Sequence, residues 1–168
     1  MLTRDFLLNA DCKTAFGAIE ESLLWSAEQR AASLAATLAC RPDDGSVWIF
    51  GYGSLMWNPA LEYRESCTGT LPGWHRAFCL RLTAGRGSAT QPGRMLALKE
   101  GGRTTGVAYR LPDETLEEEL TLLWKREMIT GCYLPTWCKL DLDDGRTVNA
   151  LVFIMDPRLS LIHISEPT

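Results

Sequence analysis

Histidine is nearly absent, with only His75 and His163 in 168 residues. A transition-metal site built from His and Cys is therefore poorly supplied, and a Ser–His or Cys–His nucleophile would have to rest on His75. The six cysteines are Cys12, Cys40, Cys67, Cys79, Cys132 and Cys138, and no Cys-x-x-Cys occurs among them. The closest pair, Cys132 and Cys138, has five intervening residues, which fits neither a zinc knuckle nor a redox dithiol. No apolar run approaches the ~18 residues that a membrane-spanning helix needs. Residues 1–13 lack the basic and then apolar stretches of an export signal, so the expected localisation is cytoplasmic, with reduced thiols. The 17 basic residues are outnumbered by 21 acidic ones and form no stripe, which argues against a nucleic-acid partner.

What is present is the composition of an ordinary folded domain. Hydrophobic residues make up 46% and charged residues 23%, and the length suits one core with at most a short appendage. Residues 1–46 read as a helical extension. One helix is expected over 14–25, and a second starts at Ser26-Ala27-Glu28-Gln29, which has capping-box spacing, and runs to about Cys40 with Ala31, Leu34, Ala35 and Leu38 on one face. A turn-rich linker, Arg41-Pro42-Asp43-Asp44-Gly45-Ser46, follows.

From Val47 the period changes to two, and strands are expected at 47–50, 67–71, 74–82, 95–99, 105–111 and 137–142. Asp143-Asp144-Gly145-Arg146 then turns the chain into 147–155, its most apolar strand. A single helix opens at Pro112-Asp113 and carries Leu116, Leu120, Leu123, Trp124 and Glu127 along its inward stripe. About seven strands around one helix indicate an α+β fold with a curled antiparallel sheet or barrel. Trp48, Trp57, Trp74, Trp124 and Trp137 are expected in the core, and Cys67, Cys79, Cys132 and Cys138 as small apolar residues in or beside strands. Residues 159–168 follow Asp156-Pro157-Arg158 without turn logic and read as a non-native tail, which makes 47–158 the main domain.

Three features can carry chemistry. Ile49-Phe50-Gly51-Tyr52-Gly53-Ser54-Leu55 is a strand running into a loop whose glycines allow backbone N–H groups to approach an anion closely. As a dinucleotide fingerprint it fails, because no third glycine stands at the required place. Glu127 shares a helical face with Leu120, Leu123 and Trp124. It is either a desolvated general base or a carboxylate at a helix end, reaching solvent or an arginine such as Arg81, Arg86 or Arg94. Glu118 is turned half a revolution away, with Glu117 and Glu119, on a solvated face. The third feature, Gly85-Arg86-Gly87 followed by Gln91-Pro92-Gly93-Arg94, is either a long loop over a site or a hairpin tip.

Taken in order, Val47 to Trp57, then Pro92-Gly93-Arg94, then Gly106-Val107-Ala108-Tyr109-Arg110-Leu111, then Arg126-Glu127 with Gly131 and Tyr133, the chain resembles the ChaC family of glutathione-specific γ-glutamylcyclotransferases over residues 3–158. The resemblance implies a small antiparallel β-barrel with flanking helices, cytosolic, using neither cofactor nor metal, that cleaves glutathione to 5-oxoproline and cysteinylglycine. By the family's motif, Ile49, Phe50, Gly51, Tyr52, Gly53 and Ser54 hold the γ-glutamyl group, and Glu127 is the catalytic glutamate. Arg94, Tyr133 and Glu118 are accessory candidates, Glu118 because an additional glutamate of some relatives falls near it by ungapped counting. The chemistry suits a chain without a histidine nucleophile, since the substrate's own α-amine attacks its γ-carbonyl. The alternatives are a cyclotransferase for other γ-glutamyl amines or amino acids, and a γ-glutamyl-binding module without turnover.

Overall fold

A computed structural model describes residues 25–81, 93–128 and 133–155. The elements are α1 (Ala27–Ala39), β1 (Trp48–Gly51), a single-turn α2 (Ser54–Trp57), β2 (Glu65–Arg81), β3 (Gly93–Arg110), α3 (Leu116–Glu127), β4 (Tyr133–Leu142) and β5 (Thr147–Met155). The strands form a closed barrel in the order β1-β3-β2-β4-β5. Neighbours pair antiparallel except where β1 meets β5 in parallel, with Trp48 opposite Ala150, and that pairing closes the ring.

Five strands among the described residues replace the seven or so expected, because two pairs merge. The segments 67–71 and 74–82 are one strand, β2, whose register against β3 shifts between Pro72 and Trp74. Proline has no N–H to give the ladder, and a bulge absorbs the loss by bending the strand without ending it. The segments 95–99 and 105–111 are likewise joined in β3.

Both faces of the closing strands are buried, which explains why 147–155 reads as a continuous apolar run. Trp48 and Phe50 of β1 and Ala150, Val152 and Ile154 of β5 fill the barrel with Leu71, Leu98, Leu140 and Leu142. The alternate residues Ile49, Leu151 and Phe153 point outward and are covered by Leu120, Leu123 and Trp124 of α3, as the helical stripe requires. The Trp124 and Phe153 rings meet edge-on with centroids 5.3 Å apart. Each such side chain, fully buried, contributes roughly 1.5–3 kcal/mol.

Helix α1 starts with the expected capping box: Ser26 Oγ accepts from Gln29 N–H at 3.1 Å and Gln29 Oε1 accepts from Ser26 N–H at 2.8 Å. It lies on α3 through Leu34 and Leu38. Trp124 Nε1 donates to Ser33 Oγ at 3.1 Å, and Trp137 Nε1 donates to the Thr37 carbonyl at 2.9 Å. The turn between β4 and β5 falls at the Asp143 to Arg146 position read from the sequence. The 14–25 helix, the loop containing Gly85 and Arg86, Gly131 and the 159–168 tail, with His163, lie outside the described residues.

Two expectations about burial fail. Trp57 is 80% exposed, because it ends the single turn of α2 on the side away from buried Leu55. Glu119 is 1% exposed although its neighbours Glu117 and Glu118 face solvent. Of the cysteines, Cys40 is exposed, while Cys67 and Cys138 are partly buried against the barrel core, where desolvation pushes the Cys138 thiol up. Cys12, Cys132 and the side chain of Cys79 lie outside the described portion.

Candidate functional site

The segment Ile49 to Ser54 leaves the barrel at the C-terminal end of β1. Ile49 and Phe50 are fully buried, one beneath α3 and one inside the barrel, so both act as anchors of the strand. Gly51 has no room for a side chain: a Cβ there would lie 2.9 Å from Met56 N and 3.0 Å from Leu55 Cβ. Gly106 on β3 is equally confined, since its Cβ would overlap the Gly51 carbonyl oxygen and stand 2.8 Å from Phe50 Cζ. Two glycines thus let two strands and the start of α2 converge. After Gly53 the chain turns into α2, with Met56 N–H donating to Gly53 O at 2.9 Å. The N–H groups of Ser54 and Leu55, first in the helix, have no carbonyl one turn back in α2 to donate to.

Side chains from three elements, and the loop's own Tyr52, fix this segment. Arg76 of β2 donates to the Tyr52 carbonyl at 3.1 Å. The Tyr109 hydroxyl of β3 shares its proton between the carbonyls of Leu55 and Met56, at 3.1 and 3.0 Å. Burial, aided by Tyr63 beside it, pushes the Tyr109 phenol above its usual range, so it stays a donor. The Tyr52 hydroxyl donates to the Phe153 carbonyl of β5 at 2.6 Å. Arg126 of α3 donates to the carbonyl of Asn58, the residue that caps α2.

Glu127 ends α3 with its side chain 14% exposed, and its Oε1 lies 3.6 Å from Arg126 Nε. It is therefore largely withdrawn from solvent, and a cation beside it is its own neighbour in the chain. Phe153 connects the parts: its carbonyl takes the Tyr52 hydroxyl, and its ring meets both Trp124 of α3 and Tyr133 of β4, the latter edge-on at 6.4 Å. The structure so gathers Tyr52, Tyr133 and the helix carrying Glu127 around one residue of β5. Glu118 faces solvent on α3, as its helical angle requires. The Arg94 backbone pairs with Leu80, and its side chain lies outside the described portion.

Reading from sequence overlooked Arg126 and Glu119, buried to 6% and 1% exposure. Glu119 Oε1 accepts the Glu62 N–H at 2.9 Å, a charge-assisted bond that offsets part of the desolvation of the carboxylate. Their signal was present: Glu119, Leu122, Leu123 and Arg126 follow the i, i+3, i+4, i+7 spacing of one helical face. Charge alone had assigned Glu119 to solvent, and Arg126 stood only in the family motif. Among the described residues no group of three His, Cys, Asp or Glu gathers in a way that could hold a metal ion. Also among the described residues, no helix is long and apolar enough to cross a membrane.

A family model described as ChaC-like protein matches residues 47–164. The chain belongs to the ChaC-like family. It is 92% identical over 158 residues to the glutathione-specific gamma-glutamylcyclotransferase of Escherichia coli (strain K12), covering 94% of this chain and 68% of that protein. It is 38% identical over 121 residues to glutathione-specific gamma-glutamylcyclotransferase 1 of Rattus norvegicus, covering 69% of this chain and 54% of the rat protein. The ChaC-like chain thus spans about two thirds of the bacterial relative and about half of the rat one. A crystal structure of a yeast gamma-glutamyl cyclotransferase specific to glutathione aligns with a TM-score of 0.58 at 19% identity, covering 67% of this chain and 69% of the yeast one. YkqA from Bacillus subtilis aligns with a TM-score of 0.51 at 22% identity, covering 76% of this chain and 45% of its own. These two structures share the fold.

Proposed function

We propose that the chain is a glutathione-specific γ-glutamylcyclotransferase, a cytoplasmic lyase that converts glutathione to 5-oxoproline and cysteinylglycine. The observation that carries this reading is the 92% identity over 158 residues to an Escherichia coli protein of that name. The reaction needs no water and no enzyme nucleophile. The α-amine attacks the γ-carbonyl, the new C–N bond closes a five-membered lactam, and the bond to the cysteine nitrogen breaks.

The loop of Gly51, Tyr52, Gly53 and Ser54 holds the γ-glutamyl group, its backbone N–H groups meeting the α-carboxylate. Glu127 takes a proton from the ammonium and returns one to the departing amine. Holding the glutamyl chain folded supplies up to ~7–11 kcal/mol of barrier reduction by orientation, and the positioned base a further ~10²–10⁴-fold in rate. Sequestration of Glu127 from bulk water, at 14% exposure, supports its role as the proton carrier.

The test is 5-oxoproline release from glutathione by the purified chain beside Glu127→Gln, with circular dichroism on both. Turnover is expected in the wild type and a loss of ~10²-fold or more in the variant, with glutathione binding retained. Release from γ-glutamyl amines but not from glutathione would replace the substrate, and folded wild-type protein that binds without turnover would make it a binding module.

A further inference from the structure

Residues 58–62, which follow α2, are held from both sides by α3. Arg126 takes the carbonyl of Asn58, and Glu119 takes the N–H of Glu62 at 2.9 Å. Between these two points Ala60 has φ +55°, in the left-handed region that an alanine seldom adopts. Strain of that kind persists only where the surroundings over-determine the backbone. Here they do: Leu61 is buried in the cluster beneath α3, and two charged side chains seven residues apart on one face of α3 grip the turn on either side of Ala60. A buried carboxylate is an expensive way to fill space, since an apolar side chain there would avoid its desolvation. Glu119 acts on the turn, and the turn abuts α2, whose first residues form the loop with Gly51 and Tyr52.

We propose that Glu119 is a positioning residue: through Glu62, and together with Arg126, it clamps residues 58–62 and so sets the shape of the loop that takes the γ-glutamyl group. This rests on the cyclotransferase reading above. It assigns Glu119 no contact with substrate, in distinction from Glu127.

The test compares KM and kcat for glutathione in the wild type, Glu119→Gln, Glu119→Leu and Glu62→Pro, each checked for folding by circular dichroism. Glu119→Gln keeps an oxygen to accept the Glu62 N–H and is expected to hold KM within about threefold of the wild type. Glu119→Leu removes the acceptor and is expected to raise KM roughly tenfold, a change that a smaller folded fraction does not produce, with kcat per folded molecule nearly kept. Should Glu119→Leu not fold, Glu62→Pro carries the test, because it deletes the donor from an exposed residue with negative φ and leaves Glu119 in place. Folded Leu and Pro variants with wild-type KM, or a Gln variant as impaired as the Leu variant, would overturn the proposal while the cyclotransferase reading stands. A wild type that releases no 5-oxoproline overturns that reading and this inference with it.

Discussion

Replacing Gly106 by alanine tests whether the convergence of β1, β3 and α2 is what shapes the site. The new methyl would overlap the Gly51 carbonyl oxygen and stand 2.8 Å from Phe50 Cζ and 3.0 Å from Phe50 Cε1. Carbon atoms in good contact are separated by about 3.5–4.0 Å, so the strands must part by roughly 0.5–1 Å. Phe50 is fully buried inside the barrel and has no space to retreat into, so the displacement falls on Gly51. Overpacking of this kind costs about 1–3 kcal/mol, and the lower backbone entropy of an unfolded chain with alanine returns roughly 0.4–1 kcal/mol. A net loss of about 1–2 kcal/mol lowers Tm by roughly 2–8 °C in a domain of this size. Because the displaced group is Gly51, kcat/KM should fall as well, by about tenfold.

Gly145→Ala is the control. Gly145 has φ +96°, and nothing lies within 4 Å of the place its added methyl would take, so the cost is backbone strain alone, about 1–2 kcal/mol. It lies in the β4–β5 turn, and since β1 and β5 run parallel this turn is at the opposite end of the barrel from Gly51. The two variants should lose similar stability, measured by thermal and urea unfolding, while only Gly106→Ala loses turnover measured as 5-oxoproline release. A Gly106→Ala protein with wild-type kcat/KM, or a Gly145→Ala protein that loses as much activity, would refute the reasoning.

Two further outcomes are expected. Glu65 bridges β2 to Arg146 in the β4–β5 turn and to Arg110 on β3, and the Arg146 hydrogen bond, then that of Arg110, holds its carboxyl below the ordinary 4.5. A depressed folded-state pKa contributes stability that is present above 4.5 and lost as pH falls through the folded value, so Glu65→Gln should lose stability above about pH 5 and flatten the decline below it; urea midpoints from about pH 6 down to about pH 3 check this. Trp57→Ser removes a side chain that is 80% exposed, so its Tm should stay within about 1–2 °C of the wild type, and a larger fall would mean that the ring is buried in solution.

The parts of the fold legible in the sequence were those where one periodicity acted alone. The capping box at Ser26, the stripe of Leu120, Leu123 and Trp124, and the turn before the last strand each needed only local pattern, and each stands where it was expected. Strand number was not legible, because Pro72 and the glycines of β3 carry the composition of a chain break while the structure uses them to bend one continuous strand. Trp57 was misplaced because hydrophobicity argues for burial but not for which side of a single helical turn meets the core.

The site divides along the same line. Gly51 was visible because a glycine at a strand end announces close approach, and Glu127 because a carboxylate on an apolar stripe stands out, although its candidate role came from the family resemblance. Glu119 and Arg126 were not, because a charged residue on a helix is assigned to solvent unless its partner is known, and each has among its partners here a backbone atom of residues 58–62. A backbone partner leaves no trace in residue identity. Only the spacing with Leu122 and Leu123 betrays it, and that spacing gains force once a carboxylate and a guanidinium are allowed to belong to a buried face when each has a hydrogen bond to make there.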